Sequence, residues 1–271
     1  MKPRRSRVLE ILRRGGSATC AKLNLSDPRV VEIAGYVNFD CTWLCNEHVP
    51  NDWLNLEHQV RAAKLHDMDT LVRVQKGAYS DYVKPFEADA TGIMVPHVAS
   101  AAEARQIVKW TRYHPLGLRA LDGGNADAQF CKLPLKDYIA NANRERFIAL
   151  QIESAEALAN VDEIAAVEGF DMLVFGPGDF SQSIGKPGEI HAPEVVAARK
   201  RIGAAARRHG KFAFSPGLLA DRATLESEGY TIFGLGADVV GLSTFFQSAR
   251  DKFDAPPAPV VPDKGPAKGG I

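Results

Sequence analysis

Short apolar runs rich in β-branched residues recur along the chain, and eight of them have the length of buried strands. Amphipathic stretches typical of helices separate them, for example at 54–66, 100–112, 155–166 and 193–208. Strands that alternate with helices predict βαβ units and a parallel sheet. The eight predicted strands are 18–24, 41–46, 70–74, 92–96, 147–153, 172–176, 211–215 and 231–236.

Eight βα units in a chain of this length indicate an α/β fold of the (β/α)8 TIM barrel type, which typically takes about 250 residues. The alternative is a doubly wound open sheet, but no G-x-G-x-x-G loop follows the first predicted strand. We therefore expect a single barrel domain over 1–253, preceded within that range by a short surface helix in the basic opening MKPRRSRVLEILRR. The Pro/Gly-rich segment 254–271 is expected to be a disordered tail.

One segment breaks the alternation of strands and helices. Residues 113–146 contain GLRALDGGNADAQF, which is rich in Gly, Asp and Asn, and then a helical piece near 135–144. Long loops inside compact domains are often lids or interface elements, and we expect one of these roles here.

Composition excludes several classes of protein. Lys+Arg and Asp+Glu are equal at 33 each, so no basic excess indicates a nucleic-acid partner. No apolar run approaches the roughly 18 residues that a membrane span needs. The four cysteines form no C-x-x-C pair and are expected to be reduced thiols of a cytoplasmic protein.

Polar side chains follow several predicted strands, where the active site of such a barrel lies. Charged groups that converge from different strands are what a catalytic site needs and what an apolar core does not tolerate. These residues are Asn46, Glu47 and His48 after strand 2, Arg73 in strand 3, His97 after strand 4, Gln151 and Glu153 at the end of strand 5, and Gly178 and Asp179 after strand 6.

Glu153 and Asp179 are the candidate metal ligands. They follow consecutive strands, so their carboxylates should lie side by side, and two close carboxylates repel unless a proton or a cation lies between them. A site with few protein ligands, all of them oxygen, suits Mg²⁺ or Mn²⁺. The alternative is that each carboxylate only caps the helix that follows it.

Three further features are expected to face the same space. The segment GPGDFS (176–181) would present the backbone N–H groups of Gly178 and Asp179 at a helix N-terminus, where a carboxylate binds readily. Arg73 could hold an oxyanion or a carboxylate, the alternative being a structural ion pair. His48, beside Glu47, could move a proton, although a lone histidine is often only a surface residue. His97 is ambiguous at this point.

These motifs together resemble the HpcH/HpaI family of class II pyruvate aldolases. The similarity extends from about residue 18 to residue 250, and the pairing of Q-I-E with G-P-x-D-[LF]-S is its most specific part. The residues that carry the resemblance are NEHVPND (46–52), LVRV (71–74), GIMVPHV (92–98), TRYHPLGLR (111–119), LQIESAEALANVDEIAAVEG (150–169), FGPGDFSQSIG (175–185) and GLGADVV (234–240).

The resemblance implies a fold, an assembly and a set of roles. The fold is a (β/α)8 barrel, usually in a hexamer of domain-swapped dimers, and the cofactor is a divalent cation (Mg²⁺, Mn²⁺ or Co²⁺). The partners are a small 2-oxo acid and an aldehyde. The implied roles are metal binding by Glu153 and Asp179, enolate stabilisation by Arg73, proton transfer by His48, pocket lining by Gln151, and carboxylate binding by the amides of Gly178 and Asp179.

The chain also departs from the family pattern. Cys45 stands three positions before the histidine, where members of the family usually carry an acidic residue that orients it. We expect Glu87, at another position that is usually acidic in the family, to support His48 instead. The loop 121–130 differs from that of most members and should alter the choice of aldehyde.

Several related functions stay open from sequence. The leading prediction is an aldolase acting on 4-hydroxy-2-oxo acids, with pyruvate or hydroxypyruvate as the nucleophile. The alternatives are an oxaloacetate decarboxylase, a lyase acting on CoA thioesters such as malyl-CoA or citryl-CoA, and a catalytically silent barrel that only binds small acids. Cys45 favours the silent barrel, whereas the intact set of polar residues after the strands argues against it.

Overall fold

A computed structural model describes residues 3–217 and 220–255 and contains a closed barrel of eight parallel strands in the order β1 to β8. The predicted (β/α)8 barrel is confirmed, and each strand overlaps its predicted range. The strands are β1 (Ala18–Lys22), β2 (Cys41–Cys45), β3 (Asp69–Arg73), β4 (Gly92–Val95), β5 (Phe147–Ile152), β6 (Met172–Phe175), β7 (Phe212–Ser215) and β8 (Tyr230–Ala237).

Helices surround the barrel in the order that the alternating pattern predicts. The predicted helix 155–166 is divided in two at Asn160, whose side-chain amide donates to the Ala99 carbonyl at 2.9 Å. The α-helices are α1 (Arg7–Arg13), α2 (Pro28–Tyr36), α3 (Trp53–Lys64), α4 (Tyr79–Glu87), α5 (Ala101–Thr111), α6 (Leu135–Glu145), α7 (Ala155–Ala159), α8 (Val161–Ala165), α9 (Pro177–Ser183), α10 (Pro193–Arg208), α11 (Arg222–Glu228) and α12 (Asp238–Asp254).

The barrel interior is filled by alternate side chains of its strands, as the period of two in a strand requires. Ala18 and Cys20 of β1, together with Cys41 and Trp43 of β2, belong to this apolar cluster. Because of the same alternation, the inward-facing positions at the carboxyl ends of several strands carry polar or reactive side chains. These side chains are Lys22, Cys45, Arg73 and Gln151.

Helix α1 closes the opposite end of the barrel. The prediction of a helix here is correct, but its description as a surface helix is wrong for one face, because Val8, Leu9 and Leu12 pack into the interior cluster. Ser6 caps the helix, and its hydroxyl donates to Asp69 Oδ2 at 2.6 Å. Apolar residues three to four positions apart thus place one stripe of a short helix against the barrel.

The long segment 113–146 is held by a buried polar cluster. Arg119 Nη2 lies 3.0 Å from Asp127 Oδ2, and the Tyr138 hydroxyl donates to the same oxygen at 2.7 Å. A short 3₁₀ turn (Ala126–Ala128) and helix α6 complete the segment. Its predicted role as a lid or interface element stays a prediction.

Helix α12 differs from the other helices because none of its residues is buried. Beside it, a groove of about 390 Å³ runs along β1 and α2 and is lined mainly by apolar side chains, including Leu23, Ile33 and Val37. No helix among the described residues is long and apolar enough to cross a membrane. The predicted disordered tail lies outside the described residues from 256 onward, and the domain boundary at residue 253 stays a prediction.

Candidate active site

Glu153 lies directly after β5 and is buried, with 2% of its surface exposed. The backbone N–H of His97 donates to Glu153 Oε1 at 2.7 Å, and the side-chain amide of Gln151 donates to Oε2. Gly176 leaves the room for this carboxylate, since a Cβ there would lie 2.5 Å from Glu153 Oε2. One buried carboxylate is therefore fixed at the carboxyl ends of the strands, here called the barrel mouth, by two hydrogen-bond donors and by the space that Gly176 leaves.

Negative charge accumulates around Glu153. Burial raises the pKa of Glu153 to about 7, and the charges of Asp179 and Glu47 act in the same direction. The hydrogen bond from the His97 N–H and the positive charge of Arg73 oppose this rise in the pKa. Asp179 itself is exposed, in the first turn of α9. Three carboxylates from three different strand ends are thus near enough to interact.

A divalent cation fits this arrangement on three observations. Carboxylate and amide oxygens are the donors that hard cations prefer. Gln151 Oε1 is buried and accepts no hydrogen bond from any described residue. The negative charges of Asp179 and Glu47 act on the buried Glu153, and a cation would offset them. Within the described part of the chain, no three His, Cys, Asp or Glu side chains gather as a ready ligand set, so Glu153 and Asp179 would leave most coordination positions to water and substrate.

Arg73 is the principal cation of the barrel mouth. Its Nε lies 2.9 Å from Glu47 Oε2, although neither atom forms a hydrogen bond with a described residue. Its Nη2 donates to Cys45 Sγ at 3.2 Å, and its guanidinium lies 5.0 Å from the centre of the Trp43 ring. The backbone N–H of His48 donates to the same sulfur at 3.4 Å. Cys45, at a position that is usually acidic in the family pattern, therefore contacts both Arg73 and the loop that carries His48.

Two histidines flank the carboxylates. His48 Nε2 lies 3.6 Å from Glu47 Oε2, and 61% of its side chain is exposed. His97 Nδ1 lies 3.1 Å from Glu153 Oε1, and its Nε2 lies 3.5 Å from Glu47 Oε1. The ambiguous His97 thus belongs to the site, where its ring joins two carboxylates, and its backbone φ of 51° turns the chain to bring both its N–H and its ring to Glu153.

Glu87 is not brought to His48 within the chain. It is the last residue of α4, and a helix that follows a barrel strand ends near the opposite end of the barrel from the strand's carboxyl end. Its electrostatic neighbours include Arg119 and Asp127 of the long segment, and burial raises its pKa. The expectation that Glu87 supports His48 therefore stays a prediction, which no contact within the described chain supports.

Gly178 lies in the first turn of α9, next to Asp179. The first amide bonded inside this helix is that of Phe180, which donates to the Gly176 carbonyl at 3.0 Å. The N–H groups of Gly178 and Asp179 therefore face outward from the turn and are available to a ligand.

Lys22 is a residue of the site that sequence reasoning missed. It ends β1, pairs in register with Trp43, and its ammonium lies 5.2 Å from the centre of the Trp43 ring. The signal was present in the alternation of Ala18, Cys20 and Lys22, which places all three side chains on the inner face.

The fold and the site together define a barrel enzyme. Its barrel mouth holds carboxylates next to an arginine and two histidines, which suits chemistry on small acids. Residues 22–243 match the family model described as HpcH/HpaI aldolase/citrate lyase. The chain belongs to this family and is an aldolase-type lyase, as the resemblance predicts.

Named relatives include two aldolases. The chain is 33% identical to the 5-keto-4-deoxy-D-glucarate aldolase of Klebsiella pneumoniae subsp. pneumoniae, over 84% of this chain and 89% of the relative. It is 33% identical to a hydroxypyruvate/pyruvate aldolase of Pseudomonas aeruginosa, over 88% of this chain and 87% of the relative. Among solved structures, the citrate synthase SbnG is similar with a TM-score of 0.80 and 30% identity, over 91% of this chain and 98% of that one.

Proposed function

We propose that this protein is a metal-dependent aldolase that forms or cleaves 4-hydroxy-2-oxo acids through the enolate of pyruvate or hydroxypyruvate. The observation that carries the proposal is the meeting of Glu153, Asp179 and Glu47 with Arg73 at one barrel mouth. The names of the relatives support it, because they include aldolases of keto-deoxy sugar acids and of hydroxypyruvate and pyruvate.

Glu153 and Asp179 would hold the cation, with Gln151 beside them. A bound Mg²⁺, Mn²⁺ or Co²⁺ supplies Lewis-acid polarisation of the 2-oxo group, which makes the neighbouring C–H bonds more acidic. Gln151 orients Glu153 through its amide, and the orphaned Oε1 of Gln151 remains available to a water or a ligand.

Arg73 would stabilise the developing enolate oxygen, since a guanidinium held in a buried site acts on charge as it forms. The outward N–H groups of Gly178 and Asp179 would bind the substrate carboxylate. His48 would move the proton at the aldehyde oxygen, with Glu47 close enough to orient its ring. His97 would keep Glu153 and Glu47 in place through its two ring nitrogens.

The decisive experiment is exchange of the pyruvate methyl protons in D₂O, followed by ¹H NMR, with each of the three metals and with EDTA. This assay needs no knowledge of the acceptor aldehyde. We expect exchange that depends on the metal, and we expect Glu153→Gln to slow it by more than about 100-fold, since even partners of metal ligands are worth 10–100-fold.

Glu156→Gln is the matched control, because Glu156 follows three residues later but is exposed on α7. It should exchange at the rate of the unaltered chain. Exchange by the unaltered chain at the same rate in EDTA would refute the metal dependence. If no metal supports exchange of either pyruvate or hydroxypyruvate, the enolate proposal fails.

A second candidate is a lyase or synthase of the citrate type acting on CoA thioesters. The similarity to the citrate synthase SbnG favours it, as does the family description. The same NMR assay with acetyl-CoA distinguishes the two, because only a thioester enzyme exchanges the acetyl protons. Metal-dependent loss of CO₂ from oxaloacetate would identify the decarboxylase alternative.

We also propose a homo-oligomer in the cytoplasm. The exposed apolar side chains of helix α12 and the neighbouring groove support assembly, with the hexamer of the family as the expected form. The four free thiols fit a reducing compartment.

A further inference from the structure

The ammonium of Lys22 is a second cation at the barrel mouth. It lies 5.2 Å from the centre of the Trp43 ring, and the Arg73 guanidinium lies 5.0 Å from the same centre. The Lys22 side chain is half-buried, on the inner face of β1. Two cations that share one aromatic ring repel each other, so this arrangement costs free energy unless an anion joins them.

Lys22 has no anionic partner of its own in the part of the chain that the structure describes. Its ammonium forms neither an ion pair nor a hydrogen bond there. Glu47 lies against Arg73, at 2.9 Å from its Nε. Asp238 is the other neighbouring carboxylate, and its two oxygens accept from the backbone N–H groups of Asn24 and Leu25, each at 2.8 Å.

The electrostatic effect on Lys22 agrees with this geometry. Burial and then the charge of Arg73 lower its pKa, whereas Asp238, Glu47 and the Cys45 thiol act in the opposite direction. The neighbouring carboxylates thus fail to compensate for the desolvation and for the second cation. A half-buried cation without an anionic partner is costly in a site that has only structural tasks.

We propose that Lys22 forms a carboxylate-binding subsite for the acceptor half of the reaction, so that the enzyme prefers aldehydes that carry a carboxylate. The inference rests on the proposed aldolase function and specifies its substrate class. The donor acid is expected between Glu153, Arg73 and the first turn of α9, at the ends of β3, β5 and β6. Lys22 lies at the end of β1, which is two strands from β3 and across the closed barrel from β5, so its ammonium can take a second carboxylate.

The experiment compares acidic with neutral aldehydes at saturating pyruvate and metal. The pairs are glyoxylate with glycolaldehyde, and succinic semialdehyde with butanal. We expect the unaltered chain to show the higher kcat/KM for the acid of at least one pair. Lys22→Met should lower this acid-to-neutral ratio by about 10- to 100-fold, mainly through KM, because a hydrogen bond to a charged group is lost. Lys22→Arg should restore part of the ratio.

Lys200→Met is the control, since Lys200 is exposed on α10 and should leave the ratio as it is. An equal loss for acidic and neutral aldehydes in Lys22→Met, or no loss, overturns the subsite. Trapping of a pyruvate adduct on Lys22 by borohydride also overturns it, because Lys22 would then be a nucleophile. Pyruvate methyl exchange is measured first on the unaltered chain, so that failure of the aldolase proposal is distinguished from failure of the subsite.

Discussion

Cys45 occupies a position between Arg73 and the loop of His48, where its buried sulfur accepts from Arg73 Nη2 and from the His48 N–H. An acidic residue at this position would neutralise Arg73 in addition to orienting it. Cys45 brings no carboxylate to the guanidinium, which is left to Glu47 and to the substrate. The departure from the family pattern at Cys45 is therefore compatible with a functional site, since the thiol makes both contacts that orientation requires.

Replacement of the thiol tests this role. Cys45→Ala removes both acceptor contacts, and we expect kcat/KM for pyruvate exchange to fall about fivefold, equivalent to about 1 kcal/mol for lost hydrogen bonds. Cys45→Ser keeps a small acceptor and should retain most of the activity. Exchange kinetics at several pyruvate concentrations measure both variants. Equal activity of the Cys45→Ala variant and the unaltered chain would show that Arg73 needs no support from the sulfur.

Single residues of the site differ in how far the sequence could locate them. Glu153 and Arg73 were located because each ends an apolar strand whose neighbours in the fold are its neighbours in the chain. His97 is ambiguous from sequence because its position in the site depends on a left-handed backbone φ, which no sequence motif predicts. The assignment of Glu87 to His48 rests on a family position alone, and no contact within the described chain bears on it.

At the scale of elements, the period of the apolar pattern located all eight strands, while interruptions and contacts across the barrel were harder to foresee. A strand that is buried on both faces has a short, nearly continuous apolar sequence, and the chain contains eight such runs. The break at Asn160 coincides with a hydrogen bond from its side chain to the Ala99 carbonyl, 61 residues earlier in the chain. The docking of α1 likewise depends on Asp69 of β3, which the local sequence of the helix does not contain.

Helix α1 is predicted to stabilise the barrel without taking part in catalysis. Leu9 is fully buried in the interior cluster, and Leu9→Ala should lower the free energy of unfolding by about 2–5 kcal/mol, as large-to-small changes in cores do. Urea unfolding followed by circular dichroism measures the loss. Pyruvate exchange under native conditions should persist, because the active site lies at the other end of the strands.

Arg5→Ala is the control for α1, since Arg5 precedes the helix and its side chain is 74% exposed. It should unfold like the unaltered chain. A Leu9→Ala variant with unchanged stability would mean that α1 is not docked in solution. Loss of exchange at full stability would mean that the two ends of the barrel are coupled.

For the whole molecule, the position of α12 is the unusual feature. In a (β/α)8 barrel the helix after the last strand belongs to the outer ring that covers the strands. Here α12 buries none of its residues, and a groove lies open along β1 and α2, beside the end of β8. Phe245 and Phe246 on the helix and Ile33 in the groove are exposed in the single chain. Because the apolar side chains of α12 and the apolar groove belong to the same chain, we predict that two copies assemble by exchanging their helices.

Charge placed on either half of this pair should prevent assembly. Phe246→Asp and Ile33→Asp each remove apolar burial worth about 1.5–3 kcal/mol per copy, twice in a symmetric pair, and add a buried charge. We expect both variants to elute as smaller species than the unaltered chain in size-exclusion chromatography with light scattering. Thr244→Asp, two positions before Phe246 and on the opposite side of α12 by helical spacing, should assemble normally. If all three variants keep the mass of the unaltered chain, α12 does not join two copies; if the unaltered chain is itself a monomer, the groove has no partner from a second copy.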